Sequence, residues 1–261
     1  MRLKVILSSR ESPLTLPINY QHLLQGVIYQ HIGDPDFATF LHEKGFQEGP
    51  QSFKLFTFSR LYGRHQLNRE KGTIQFNGPV EWQISSVVPQ FIQGVGQSLL
   101  MASSIRIGEQ EVAIEELHYF TPTVSGPVCR IVMRSPLTVH HTVQLGGKRK
   151  THFFHPQDEV FPLLIEQNLK KKYRAYHGKE AEGELSIRPL RVTERDKVVT
   201  RFKQIYITAY MGEYELAGSP ELINFALGAG IGARNSAGFG LFDLAESGDW
   251  PASGKNQQGN V

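Results

Sequence analysis

Residues 2–8 alternate between apolar and polar positions, with Leu3, Val5 and Leu7 on one face, which predicts a β-strand. Beyond it Tyr20, Leu24, Val27, Ile28 and His31 recur at helical spacing, with Asn19 placed to cap the first turn and Gly33 to end the helix. Asp34-Pro35 restarts a short helix as N-cap followed by proline at the first helical position. Phe37, Phe40 and Leu41 give it an apolar stripe and Gly45 stops it. Strands are expected at 53–59, 73–76 and 80–87. Pro89 opens a helix with Phe91, Ile92, Val95, Leu99 and Leu100 inward, and a strand covers 112–120.

Residues 122–127, bounded by two prolines, read as a linker, after which the order of elements repeats. Residues 128–134 alternate. A long helix at 158–176 carries Phe161, Ile165, Leu169 and Tyr173 as one stripe, strands are expected at 184–195 and 204–214, a short helix at 220–227, and a last strand at 238–245. No repeat is visible residue by residue; the duplication lies in the order β-α-β-β-α-β. That order predicts an α+β protein of two tandem ferredoxin-like (RRM-like) domains, residues 1–121 and 126–246. The tail 247–261, rich in Gly, Ser, Asn and Gln, is expected to be disordered.

Composition narrows the function classes. No apolar run approaches the ~20 residues that cross a bilayer, and the N-terminus turns polar at Ser8-Ser9-Arg10, so neither a membrane partner nor a signal-peptide core is expected. A single cysteine, Cys129, excludes an internal disulfide framework and a multi-cysteine zinc site. Together these point to the cytoplasm. The net charge of +3 is mild, but the basic residues cluster at Lys148-Arg149-Lys150, at Lys170-Lys171-Lys172 with Arg174, and over 188–201. The first cluster, flanked by Gly146-Gly147, reads as an exposed loop suited to tracking a phosphate backbone, or as plain solvated surface. The second lies near a helix C-terminus, where the macrodipole alone accounts for it. No cofactor is expected. Metal motifs are missing, and His140-His141, as neighbours on a strand, would point to opposite faces.

The segment with most chemical content is Gly230-Ile-Gly232-Ala-Arg-Asn-Ser-Ala-Gly238-Phe-Gly240. Glycine pairs allow positive φ and close backbone approach, successive amides form an anion-binding concavity, and Arg234 adds charge where a phosphate would rest. The plain alternative is a glycine-rich turn. A dinucleotide-binding reading fails, because that motif needs a strand before the glycines and a helix after them.

This loop resembles the C-terminal signature of the repeat-associated RNA-processing proteins of CRISPR systems. Gly26-Val27-Ile28-Tyr29, Leu41-His42-Glu43 and Lys54-Leu55-Phe56-Thr57-Phe58-Ser59 resemble, in order and approximate spacing, the nuclease segment of the sixth family of CRISPR-associated (Cas) proteins, the pre-crRNA endoribonucleases. The likeness runs from Met1 to about Ala245 and departs from the family over 44–53. It implies metal-independent cleavage of CRISPR repeat RNA by the RNA's own 2′-hydroxyl, giving guide RNAs. His42 would be the acid–base group, Tyr29 the orienting group and Lys54 the charge stabiliser. Gly230, Gly232, Arg234, Gly238 and Gly240, with Lys148, Arg149 and Lys150, would hold the RNA. Further partners left open are an interference complex and a second copy of the chain. The residues also admit plainer roles: His42 as a helix-end residue, Tyr29 as rim packing, Lys54 as a solvent-facing lysine. His31 is a rival for His42, though it sits on an apolar stripe. Because the glycine loop also occurs in related non-cleaving proteins, a non-catalytic RNA-binding subunit of an interference complex is the alternative. A generic single-strand RNA-binding module fits less well, since neither half has the aromatic strand of RNA-stacking sheets.

Overall fold

A computed structural model describes residues 1–9, 13–145, 148–202 and 205–245; for residues 145, 148 and 149 it describes the backbone alone. The first half comprises β1 (Arg2–Ser8), β2 (Leu14–Pro17), α1 (Gln21–Gln30), α2 (Pro35–Glu43), β3 (Phe46–Glu48), β4 (Gln51–Phe53), β5 (Phe56–Phe58), β6 (His65–Asn68), β7 (Thr73–Phe76), β8 (Val80–Ser86), α3 (Pro89–Ala102), β9 (Ser104–Ile107) and β10 (Gln110–Phe120). Its main sheet runs β5-β8-β1-β10-β9, all antiparallel. With β9 set aside, this is the ferredoxin-like arrangement, and α1 and α3 cross between its strands. Leu3, Val5 and Leu7 of β1 are fully buried with Phe91, Ile92, Val95 and Leu99 of α3, as their alternation and helical spacing require.

The second half comprises β11 (Val128–Met133), β12 (His140–Leu145), β13 (Lys148–Phe153), α4 (Phe161–His177), β14 (Leu185–Arg191), β15 (Lys197–Phe202), β16 (Ile205–Tyr210), β17 (Glu213–Gly218), α5 (Pro220–Ala229) and β18 (Phe242–Leu244). Its sheet, β14-β17-β11-β18, repeats the topology of the first. The hairpins β12–β13 and β15–β16 are insertions.

Several sequence expectations shift. The strand expected at 53–59 is broken at Lys54-Leu55, where Leu55 adopts φ +55. The strand expected over 204–214 is split: 205–210 belongs to an inserted hairpin, and β17 fills the sheet position. The strand expected from Gly238 begins only at Phe242, because four positive-φ glycines keep the preceding loop out of extended geometry. Asn19 does not cap α1; its Oδ1 accepts from Thr200 Oγ1 (2.7 Å) and the Arg201 amide (3.3 Å), joining the two halves. The Asp34 cap and Pro35 start are as read. Gly146, Gly147 and the tail 247–261 lie outside the described residues.

The halves meet across a buried charge. Arg2, 1% exposed, donates from Nη2 to the carbonyls of Phe242 (2.8 Å) and Leu227 (3.2 Å) and from Nη1 to the Asp243 carboxylate. Asp243 also pairs with Arg134 Nε at 3.2 Å, and the Arg134 guanidinium stacks 3.7 Å over the Tyr62 ring and bonds Glu81. Breaking a buried pair from one side leaves the other charge uncompensated, at roughly 3–5 kcal/mol. Arg2→Met should therefore lower the unfolding free energy by about 3 kcal/mol, read from denaturant melts. A loss below about 1 kcal/mol, the range of exposed ion pairs, would show that this pair does not hold the halves together.

Candidate active site

Tyr29, His42 and Lys54 come from three elements and converge. Tyr29 ends α1, His42 lies in the last turn of α2, and Lys54 sits at the break between β4 and β5. The Tyr29 and His42 rings meet edge to face with centroids 5.7 Å apart, and Phe56 packs on the other side of Tyr29 at 5.9 Å. Lys54 Nζ donates to the His42 carbonyl at 3.1 Å. That carbonyl is one of the unpaired acceptors of a helix end, where a cation is favoured. Leu55's left-handed conformation, strained for a residue with a branched side chain, makes the break that places Lys54 here.

The chemistry of each group follows from its surroundings. Burial pushes the Tyr29 phenol up to about 12, so it is a hydrogen-bond donor rather than a base. Burial also lowers the Lys54 ammonium below its usual range. His42 is exposed. His31 stands apart: it caps α1, its Nδ1 contacts Ser98 Oγ at 2.9 Å, and burial lowers its pKa.

Lys54 borders a cleft of about 360 Å³ between the halves, lined across from it by His140, Asn168, Lys172, Arg234 and the glycine loop. Among the described residues, no Asp or Glu lines it. The loop's glycines have φ values of +78, +71, +83 and +77 at Gly230, Gly232, Gly238 and Gly240, and all four are buried. What approaches them is this chain, not solvent. A Cβ on Gly238 would lie 2.6 Å from the Phe58 ring, and one on Gly240 would lie 1.9 Å from the Ile231 carbonyl. Thr57 Oγ1 of β5 donates to the Phe239 carbonyl (2.8 Å), and Gln25 Nε2 of α1 donates to the Ser236 carbonyl (2.6 Å). The expectation that backbone space at these glycines serves RNA is corrected: the chain itself fills it. Only at Gly238 and Gly230 does the first half fill that space, with Phe58 and Thr57; at Gly232 it is taken by Leu137 and Thr138, and at Gly240 by the loop's own Ile231. Arg234, itself left-handed at φ +59, lines the cleft with its loop neighbours Gly232, Ala233, Asn235 and Ser236.

Of the basic clusters, Lys150 is exposed on β13, and the side chains of Lys148 and Arg149 lie outside the described residues. The 170–174 run is not a helix-dipole feature alone. Arg174 bonds Glu48 and Glu180, Lys170 pairs with Glu166, and Lys172 is buried. Lys172 Nζ donates to the carbonyls of Gly232 (2.7 Å) and Gly230 (2.9 Å). Sequence reading missed it, although position 172 falls on the stripe of Ile165, Leu169 and Tyr173, where a lysine is out of place. Asn235, which bonds the Ile231 (3.1 Å) and Phe239 (3.0 Å) carbonyls from inside the loop, was missed as well.

Two ferredoxin-like units closing on a cleft lined by basic residues, with no carboxylate among the described residues that line it, define a tandem α+β protein with a site suited to an anionic polymer. The chain belongs to the Cas6 family: residues 15–118 match the family described as CRISPR-associated protein Cas6, N-terminal, and residues 121–244 match CRISPR associated protein Cas6, C-terminal. It is 27% identical to the CRISPR-associated endoribonuclease Cas6 1 of Methanocaldococcus jannaschii, covering 87% of this chain and 86% of that one. It is also 27% identical to the Cas6 endoribonuclease of Pyrococcus furiosus, over 92% of this chain and 87% of that one. A solved structure described as CRISPR associated protein Cas6 superimposes with a TM-score of 0.76 at 27% identity, covering 94% of this chain and 99% of that one. A Cas6-related protein from Pyrococcus furiosus superimposes at 0.83 with 22% identity, covering 95% and 99%, and shares the fold.

Burial pushes Lys172 down to about 7, far below a lysine in the unfolded chain. Between about pH 7 and 10.5 the unfolded state then binds the extra proton, so this group's contribution to stability rises with pH. The neutral amine keeps two N–H donors for its two carbonyls. Wild type should therefore gain stability relative to Lys172→Met as pH rises from 7 to 10 in denaturant melts. A constant difference would show that Lys172 stays charged in the folded protein.

Proposed function

We propose that the chain is a Cas6 endoribonuclease that processes pre-crRNA, cutting CRISPR repeat RNA without a metal ion. The observation that carries the reading is the meeting of Tyr29, His42 and Lys54, from three separate elements, beside a cationic cleft. The ribose 2′-oxygen attacks the adjacent phosphorus in line and loses its proton. The bond to the 5′-oxygen breaks, and that oxygen takes a proton, leaving a 2′,3′-cyclic phosphate and a 5′-hydroxyl. His42, exposed at the site, serves the proton transfers. Tyr29, kept neutral by its burial, orients the attacking hydroxyl or a phosphate oxygen as a donor. Lys54, anchored on the His42 carbonyl, stabilises the extra charge on the phosphorane. Two ferredoxin-like domains, 1–121 and 126–246, hold the strand between them, with Arg234 and the β12–β13 hairpin on its phosphates. The product is a guide RNA for an interference complex.

The test is single-turnover cleavage of labelled repeat RNA in excess EDTA. Wild type should cut. A 2′-deoxyribose just 5′ of the cut should block cleavage and leave binding intact. His42→Ala should slow the reaction ~10²–10⁴-fold while changing affinity less than about tenfold. Tyr29→Phe and Lys54→Ala should lose less, and His31→Ala should keep the rate. Activity abolished by chelation and restored by magnesium, or a folded His42→Ala protein cutting at the wild-type rate, would overturn the mechanism. Tight binding without any cutting by wild type would make the chain a non-catalytic RNA-binding subunit.

A further inference from the structure

Three residues that line the cleft, His140, Asn168 and Arg234, each hold a polar atom that is enclosed by protein and has no hydrogen-bond partner among the described residues: Nδ1, Oδ1 and Nε respectively. They come from separate elements, the start of β12, the middle of α4 and the glycine loop, and face the Gln51–Leu55 segment of the first half. Buried polar atoms are almost always paired, so these three side chains give up no hydrogen bond at the orphan atom when they turn toward a ligand that enters the cleft. An adjoining hollow of about 320 Å³ shares Gln51, His140 and Asn168, so the cleft has the size of a small-ligand site.

The orphan atoms also say what kind of ligand. A phosphodiester carries acceptors only and cannot satisfy Asn168 Oδ1, which needs an N–H or O–H. Burial, with Arg234 and His141 adding to it, pushes His140 down to about 4, so its ring is neutral at pH 7 and gives an anion no charge. A neutral imidazole and an amide match the edge of a base, which offers donors and acceptors side by side. Arg234 and Lys54 at the same cleft match the phosphate attached to it. RNA is read by sequence mainly where single-stranded bases are splayed out into such pockets.

We propose that this cleft is a base-reading subsite for one nucleotide of the RNA strand, with Asn168 and His140 on the base edge and Arg234 on the adjoining phosphate. The inference rests on the nuclease reading, since Lys54 borders both sites. It makes His140 and Asn168 specificity-determining residues, with no part in proton transfer.

The probe is the CRISPR repeat RNA, made as a set in which each nucleotide in turn is abasic, with 2′-deoxyribose at the mapped cut if wild type cuts. Affinities are measured in EDTA for wild type and for Asn168→Ala and His140→Ala, each checked by melting. In wild type, one abasic position should weaken binding on the order of tenfold. In Asn168→Ala that same position should cost less than about twofold, while the rest of the profile stays unchanged. His140→Ala should flatten the same position. A wild-type profile with no sensitive position, variant profiles that superimpose on wild type, or a variant loss equal at every position would each overturn the subsite. Because binding is read without cutting, a wild type that binds with this profile and fails to cleave would sink the nuclease reading and leave the subsite standing.

Discussion

The seam between the glycine loop and β5 is the constraint on which the rest of the molecule depends. The loop runs out of α5, turns back on itself, and presses Gly238 against the Phe58 ring while Thr57 holds the Phe239 carbonyl. It accomplishes this with four positive-φ glycines, an internal Asn235 clamp and a buried lysine on the carbonyls of Gly230 and Gly232. The first half contributes α1 and β5 to the seam, and these two elements also lead to Tyr29 and Lys54. A shift in the loop therefore moves Tyr29 and Lys54, the proposed nuclease groups, relative to Arg234. Catalysis by positioning tolerates little such movement.

Charge is handled differently in the two parts of the interface. At the Arg2 end, a buried guanidinium is matched by Asp243 and two carbonyls. In the cleft, Lys172 and Arg234 have no carboxylate beside them among the described residues, and burial lowers the pKa of both. A cation left unmatched in a low-dielectric cleft, as the Arg234 guanidinium is, raises the local potential for an anion. The first arrangement holds the halves together, whereas the second leaves positive charge facing the cleft.

Much of this was legible in the sequence because it obeys local rules. The Asp34-Pro35 start, the Gly45 stop and the alternation of β1 depend on near neighbours, and so does the order of elements that specifies both ferredoxin-like units. The residues Tyr29, His42 and Lys54 were legible through family resemblance, not through periodicity. What could not be read is set by contacts distant in sequence. Asn19 looks like a cap and bonds Thr200 instead. Gly238 gives no local sign that it makes room for Phe58, far away in the chain. The Lys54-Leu55 break interrupts an otherwise regular strand pattern because Leu55 must turn left-handed there. His140 and Asn168 carry no local signal; only the folded chain brings them to one cleft.

The most direct measurement of the central claim is the pair of quantities, RNA affinity and single-turnover cleavage rate, for Gly238→Ala. The added Cβ meets Phe58 at 2.6 Å in a backbone conformation of φ +83, so it disturbs the seam without touching Tyr29, His42, Lys54 or Arg234. If the seam sets the geometry of both functions, the variant loses stability, and affinity and rate fall together. A folded variant with wild-type affinity and wild-type rate would contradict the account and leave the loop a turn with no part in the site.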